Sequence, residues 1–331
     1  MKYFKKLLLL TTITAFCLVV LGAYVRLSDA GLGCPDWPGC FGTLSVPESQ
    51  SAIENAELNF PTQRVETDKA WKEMIHRYVA GFLGLMIFLI GIISYKNKSV
   101  LKVNPIVPYS IVILVIFQAL LGMWTVTLLL KPIVVSAHLI GGMTTLGLLT
   151  FVTHRYWGKI QANTLKSAHE IFLVRFSLFI LFVQIFLGGW TSTNYAGLAC
   201  TDFPTCHGQW MPEMDFGSAF HWVRELGQAA NGEPLPLSAF VAIQWTHRVG
   251  ALVTFVYLGL LAFMLLKNDR LDTFGQVLLV LLLLQVSLGI GNLILHLPLV
   301  LAVAHNMGAA LLLVTIVIIN SKITALSKGS Y

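Results

Sequence analysis

Residues 31–42 read GLGCPDWPGCFG and residues 197–208 read GLACTDFPTCHG, so one Gly/Cys/Pro signature returns after 166 residues. Leu21-Gly22-Ala23 precedes the first copy and Leu187-Gly188-Gly189 the second. Downstream, Met74-Ile75-His76-Arg77 returns as Trp245-Thr246-His247-Arg248 after 171 residues. The run Gln118 to Gly122 returns as Gln285 to Gly289 after 167, and Ala137-His138 as Ala304-His305 after 167. Apolar segments match by chance through Leu and Val. Here Cys, His, Arg and Gln recur in step and in one order, which marks an internal duplication.

The repeat lies in a chain of 331 residues that is 56% hydrophobic and only 11% charged. Soluble domains carry roughly a quarter of charged residues, so a water-soluble fold is excluded. Apolar windows long enough to cross a hydrocarbon core of about 30 Å begin near Leu7, Tyr78, Ile106, Ile133, Ile171, Phe240, Phe274 and Leu299. The predicted fold is an all-α integral membrane protein with eight transmembrane helices, arranged as two tandem pseudo-symmetric four-helix bundles over residues 1–160 and 161–331. An even number of spans per half gives both halves the same orientation, a parallel repeat about an axis along the membrane normal. The opening Met1 to Lys6 resembles the start of a signal peptide. No convincing small-x-small cleavage site precedes Arg26, and the span has a counterpart in the second half, so it is expected to stay.

Lys2, Lys5, Lys6, Lys96, Lys98, Lys102, Arg155, Lys159, Lys166, Lys267, Arg270, Lys322 and Lys328 all fall on one side if the N-terminus is cytoplasmic. That is the positive-inside pattern. Both termini are then cytoplasmic, and the two long acidic loops, near 27–72 and 193–239, lie outside. The net charge of +6 reports topology, and no nucleic-acid partner is expected.

An ionisable side chain within a span is costly and points to function. Of nine histidines, His154 and His169 are assigned to a cytoplasmic loop, His207 and His221 to an outer loop, and His296 to the end of the seventh span. His76, His138, His247 and His305 differ, because they lie within spans and repeat. His76 and His247 are expected near the outer ends of the second and sixth spans. His138 and His305 follow Pro132 and Pro298, which are placed to open their helices. All four then share one depth, about 22 to 28 Å from the cytoplasmic helix ends. Any one of them alone reads as a polar helix contact. The duplicated pairs instead suit axial ligation of a planar cofactor, and haem iron accepts histidine. Copper or zinc would call for further ligands nearby. Arg77 and Arg248, each directly after a histidine, are candidates to pair with haem propionates.

Cys34 with Cys40, and Cys200 with Cys206, form two C-x5-C pairs in the outer loops, where disulfides are expected. Cys17 is the odd thiol, read as a small buried hydrophobe. No C-x-x-C-H haem attachment is present, so a haem would be held non-covalently. The halves differ three residues before the first histidine, where Glu73 faces Gln244 in the alignment. Positions i and i+3 share a helix face, and only the carboxylate can take a proton, so the asymmetry assigns chemistry to the first half. An ion pair with Arg77 or Lys72 is the alternative role for Glu73.

These features together resemble bacterial haem A synthase over nearly the whole chain. The resemblance rests on E-x-x-H-R from Glu73 to Arg77, the second His247-Arg248, the lone His138 and His305, and both Cys pairs. It implies an oxidoreductase that hydroxylates the C8 methyl of haem O twice and leaves the formyl group of haem A, for terminal oxidases. It further implies that His76 and His138 hold the substrate haem, that His247 and His305 ligate a haem b cofactor, and that Glu73 is the catalytic carboxylate. Haem O synthase, oxidase assembly factors and membrane lipid are the implied partners, in a bacterial cell membrane, with a homo-oligomer left open. The loop from Val46 to Asp68 goes beyond the short family pattern and reads as a lid or docking surface. A dihaem cytochrome b that only transfers electrons shares the four histidines and is the competing reading, and a transporter is suggested by the duplication alone.

Overall fold

The computed structural model describes residues 2–98, 104–158, 165 and 167–323. Eight helices long and apolar enough to cross a membrane are present. They are α1 (Lys2–Leu27), α3 (Thr67–Lys96), α4 (Ile106–Thr127), α5 (Pro132–Trp157), α6 (Ala168–Thr193), α8 (Leu237–Leu266), α9 (Asp272–Ile294) and α10 (Leu299–Ile323). Two short helices, α2 (Gln50–Asn59) and α7 (Phe216–Ala219), lie in the long loops. No strand forms among the described residues. Satisfying every backbone amide within its own segment is what a bilayer demands of a spanning chain.

Helix α1 packs against α3 and α5, and α4 packs against the same two, so the four close a ring in which α3 and α5 stand diagonally. The second set repeats this arrangement. Helices α6 and α9 each pack against α8 and α10, which are the diagonal pair. The sets meet through α1 with α10, α5 with α6, and α5 with α10. Because α1 corresponds to α6 and α5 to α10, the first two contacts are one contact seen twice, as a two-fold relation requires.

Contacts between repeat-related residues place the axis. Arg26 donates to the Ser192 carbonyl at 2.7 Å, across 166 residues. The Tyr195 hydroxyl donates to Asp29 at 3.0 Å, again across 166. His154 Nδ1 meets the Ser321 hydroxyl at 2.9 Å, across 167. The backbone repeats as well. Left-handed φ values recur at Asp29 and Tyr195, at Phe41-Gly42 and His207-Gly208, and at Leu129-Leu130 and His296-Leu297.

Towards the helix ends away from the two long loops one apolar core joins both sets, with Leu8, Leu146, Leu149, Leu258, Leu265, Leu313 and Ile316 fully buried. The outward faces of α3, α4, α8 and α9 leave Phe82, Leu85, Ile113, Leu252, Leu260 and Val280 more than half exposed. Apolar surface on that scale is a liability in water and is matched by lipid chains.

The loop from Val46 to Asp68 is folded. Ser49 caps α2 by accepting from the Ala52 amide at 3.2 Å, Ala56 is buried, and Phe60 meets Phe41 edge-on at 5.6 Å. With Cys34, Cys40 and Val46 these residues form a small core on Ala70 and Met74 of α3. At the second loop Phe220 and Trp222 stack on Trp190 and Phe186 of α6. Lys131 reaches across from the α4–α5 turn to Glu225 at 2.7 Å.

Several expectations change. His154 lies in the last turn of α5, and His169 in the first turn of α6, because these helices run past the apolar windows. Arg155, counted as a loop cation, is buried in α5 where that helix packs between α1 and α10. His76 and His247 stand nearly three turns inside α3 and α8, which begin at Thr67 and Leu237 rather than at the membrane-length windows. Cys17 is exposed on the outer face of α1, so it meets lipid rather than core. Lys102, Lys159, Lys166, Lys328 and the boundary at 160/161 lie outside the described residues.

Cys34 is bonded to Cys40 and Cys200 to Cys206, each within its own loop. Non-reducing peptide mapping of the purified chain is expected to return only these two links. A peptide joining Cys34 or Cys40 to Cys200 or Cys206 would contradict the arrangement.

Candidate functional site

Each diagonal helix pair carries one pair of the repeated histidines: His76 on α3 and His138 on α5, His247 on α8 and His305 on α10. All four helices start on the side of the two long loops and run towards the opposite, inner side. The histidines lie 18 to 20 residues from the inner ends, about 27 to 30 Å at 1.5 Å per residue, so they share one level as expected.

The repeated glycines make room for these rings. A methyl group added to Gly22 of α1 would lie 3.0 Å from His76 Nε2, and one on Gly122 of α4 would lie 3.4 Å from His138 Cε1. The counterparts are Gly188 of α6, 3.1 Å from His247 Cε1, and Gly289 of α9, 3.0 Å from His305 Cε1. Every histidine therefore rests on a glycine of a neighbouring helix, in a cradle that a Cβ would fill. Glutamines complete the lining. Gln184 Nε2 lies 3.0 Å from His247 Nδ1, and Gln285 Nε2 3.4 Å from His305 Nε2. Nδ1 of His138 and of His305 is buried with no hydrogen-bond partner. An orphaned buried imidazole nitrogen is costly, and two per molecule at equivalent positions fit a ligand-binding role. Among the described residues no three His, Cys, Asp or Glu side chains converge on one point. The donor set is two imidazoles per bundle, which suits a planar group with two axial positions.

Outside the histidine level each Cys loop is fastened to its helix by one set of contacts. Glu73, buried on α3, accepts from the Cys34 amide at 3.1 Å and forms an ion pair with Arg77. Gln244, equally buried on α8, accepts from the Cys200 amide and donates to the Gly197 carbonyl. The two side chains share a docking task, and only the first carries charge. Lys72 is taken by Asp68. Arg77 also donates to the carbonyls of Asp36, Pro38 and Gly39. Arg248 donates to Thr205 at 2.8 Å and to Cys200 at 2.9 Å.

Inside the loops Asp36 accepts from the Phe41 and Gly42 amides, and Asp202 from those of His207 and Gly208. The Thr205 hydroxyl, then those amides, hold the Asp202 carboxyl well below the usual carboxylate range. A depressed pKa adds stability above the ordinary carboxylate range and loses it only as pH falls further, so this clamp is intact at neutral pH.

The expected residues thus divide into two layers. The structure brings His76 towards His138 and His247 towards His305, with Glu73 and Gln244 one turn outward and the disulfide loops above them. Sequence reasoning assigned no role to the four glycines, although Gly22, Gly122, Gly188 and Gly289 all stand inside the repeated words. It also missed Gln184, whose position in the first half is Leu18, so it left no repeat to notice. His207 and His296 are exposed loop residues, and His221 lies beyond α7.

A family model described as cytochrome oxidase assembly protein matches residues 5–317. The chain is 45% identical over 315 residues to the haem A synthase of Shewanella oneidensis, covering 95% of this chain and 94% of that one. It is 27% identical over 318 residues to the haem A synthase of Wolbachia pipientis subsp. Culex pipiens, covering 91% of each. It is 25% identical over 316 residues to that of Bacillus licheniformis, covering 92% of this chain and 90% of the other. Matched over most of its length at this level, the chain belongs to the haem A synthase family of cytochrome oxidase assembly proteins.

Proposed function

We propose that this chain is an oxidoreductase that converts the C8 methyl of haem O to the formyl of haem A by successive hydroxylations and loss of water. The observation that carries the reading is the diagonal histidine pair, built twice on glycine cradles, with a carboxylate above only one of them. The first bundle, residues 1–160, takes the substrate on His76 and His138. The second, residues 161–331, takes haem b on His247 and His305. The relatives named above are haem A synthases, and oxidase assembly factors and haem O synthase are the partners this reading implies. Haem b, when bound, supplies a one-electron relay beside the substrate.

The chain's own residues bind, orient and move protons. Imidazoles on diagonal helices fix the substrate plane along the bundle axis. Arg77 and Arg248 lie outward of it, and a guanidinium has five N–H donors, so the loop contacts leave donors for propionates. Among the described residues Glu73 is the carboxylate next to the substrate layer, paired with Arg77, and it is the group that can accept a proton there. The folded Cys loops cover the outer ends and exclude water from the layer below. In a bacterial cell membrane with both termini cytoplasmic, both loops are outside, and reporter fusions after Ser51 and after Asn231 should read so. A cytoplasmic reading at either position would reverse the topology.

Glu73→Gln should keep haem O bound and stop its oxidation. Gln244 shows that a glutamine at this place still receives the loop amide, so the fold is retained and the proton acceptor is lost. General acid–base help of this kind is worth about 10²- to 10⁴-fold. Haem extracted from the variant is expected to be haem O with little haem A. Wild-type haem A content would leave Glu73 a docking residue.

Gly289→Leu tests the cradle. It should push His305 off its axis and remove most haem b absorbance while the protein still folds. Gly142→Leu, where an added Cβ meets nothing within 4 Å, should leave the spectrum unchanged. Equal haem content in both variants would refute the cradle.

A further inference from the structure

Inward of the histidines the two bundles differ. Between α3 and α4 an apolar groove of about 360 Å³ opens on the outside of the bundle, lined by Phe88, Gly91, Ile92 and Tyr95 of α3 and by Val112 and Ile113 of α4. Tyr109 of α4 also lines it, and the Tyr109 hydroxyl is buried with no hydrogen-bond partner. Gly84, Phe88 and Gly91 fall at i, i+4 and i+7, one face of α3. A Cβ on Gly84 would meet nothing within 4 Å, so that face stays open above the groove.

At the matching place in the second bundle the helices touch. Gly275 of α9 stands at the repeat position of Pro108, and a methyl on it would lie 2.8 Å from the Leu266 amide and 2.9 Å from the Ala262 carbonyl of α8. Phe255 takes the repeat position of Gly84 and packs against the core. In the first bundle a methyl on Gly91 would meet only the Val112 side chain, at 2.8 Å, whereas at Gly275 it would meet backbone. Gly259, at the repeat position of Phe88, has nothing within 4 Å, so the second bundle is closed at Gly275 and not along its whole crossing.

The depth suits one part of the substrate proposed above. Phe88 lies 12 residues inward of His76, about 18 Å, and Ile113 lies 9 residues inward of Gly122, about 14 Å. Haem O carries a hydroxyethylfarnesyl tail where haem b carries a vinyl group. Its three isoprene units, extended, reach on the order of 15 Å, as far as ten helical residues, beyond the edge of the macrocycle. The tail is apolar, and so is the groove.

We propose that the α3–α4 groove is the subsite for the farnesyl tail of haem O, and that it selects haem O for the first bundle, while the backbone contact at Gly275 and the Phe255 side chain leave the second bundle to haem b. This rests on the functional reading above. The groove is a specificity determinant, and the reacting methyl is held elsewhere.

Ile113→Trp and Ile92→Trp, made separately, fill the groove from either wall. Both side chains face lipid, exposed by 69% and 53%, so the bundle should tolerate them. A second-bundle haem b spectrum identical to wild type checks that it does. The full-length chain, with its second bundle loaded with haem b, is titrated in detergent with haem O and, in parallel, with haem b. The Soret change of the first bundle is the readout. Each tryptophan is expected to weaken haem O binding at least tenfold and to leave haem b binding in the first bundle unchanged.

Unchanged haem O affinity would overturn the proposal and leave the groove to a lipid acyl chain. An equal loss of both haems would overturn it too, because the tail would not be what the groove reads. If wild-type protein binds no haem O while the second bundle keeps its haem b, the functional reading itself fails and takes the groove with it.

Discussion

An imidazole inside a bilayer needs room and a partner, and the helix arrangement makes that room four times while leaving Nδ1 of His138 and His305 without a partner from the chain. Each ring sits on a glycine of an adjacent helix and faces the bundle interior from a diagonal position. A diagonal pair does not meet helix to helix, so the space between belongs to neither and can hold a flat group with an axial ligand on each side. Polar groups at this depth are expensive and mark function. Other features follow from keeping the rings there: glycines on α1, α4, α6 and α9, and glutamines beside His247 and His305.

Duplication explains the shared geometry and also shows where the halves were free to diverge. Glu73 and Gln244 receive the same loop amide, yet one can hold a negative charge and the other cannot. The backbone work of that position is conserved between the repeats, so the charge is an addition to it. The α3–α4 groove is a second divergence, with Gly84 and Pro108 replaced by Phe255 and Gly275 in the other half. Both differences fall in the same bundle, which is why the substrate is assigned there.

Eight spans, the repeat registers, the two disulfides and the depth of the histidines were legible in the sequence, because hydropathy and the spacing of rare residues report them directly. The diagonal placement was not, since helix order around a bundle depends on contacts that no local pattern encodes. The ends of α5 and α6 were misjudged for a related reason: His154, Arg155 and His169 look like loop residues until α10 is seen packing beside them. Cys17 was placed in the core by composition, and the outward side of α1 cannot be told from the inward side when both are apolar. The sequence reads the loop carrying α2 as a lid or a docking surface, and its polar composition gives no sign of the small core that Val46, Ala56 and Phe60 build on α3.

Axial ligation by diagonal histidines is the central claim, and ligand exchange at one site tests it most directly. His305→Met in the full-length chain, purified with its haem and examined in the ferric state, should replace the bis-histidine spectrum of haem b by a histidine–methionine one with a methionine-to-iron charge-transfer band. A second-bundle spectrum that stays bis-histidine in this variant, and again in His247→Met, would contradict the account.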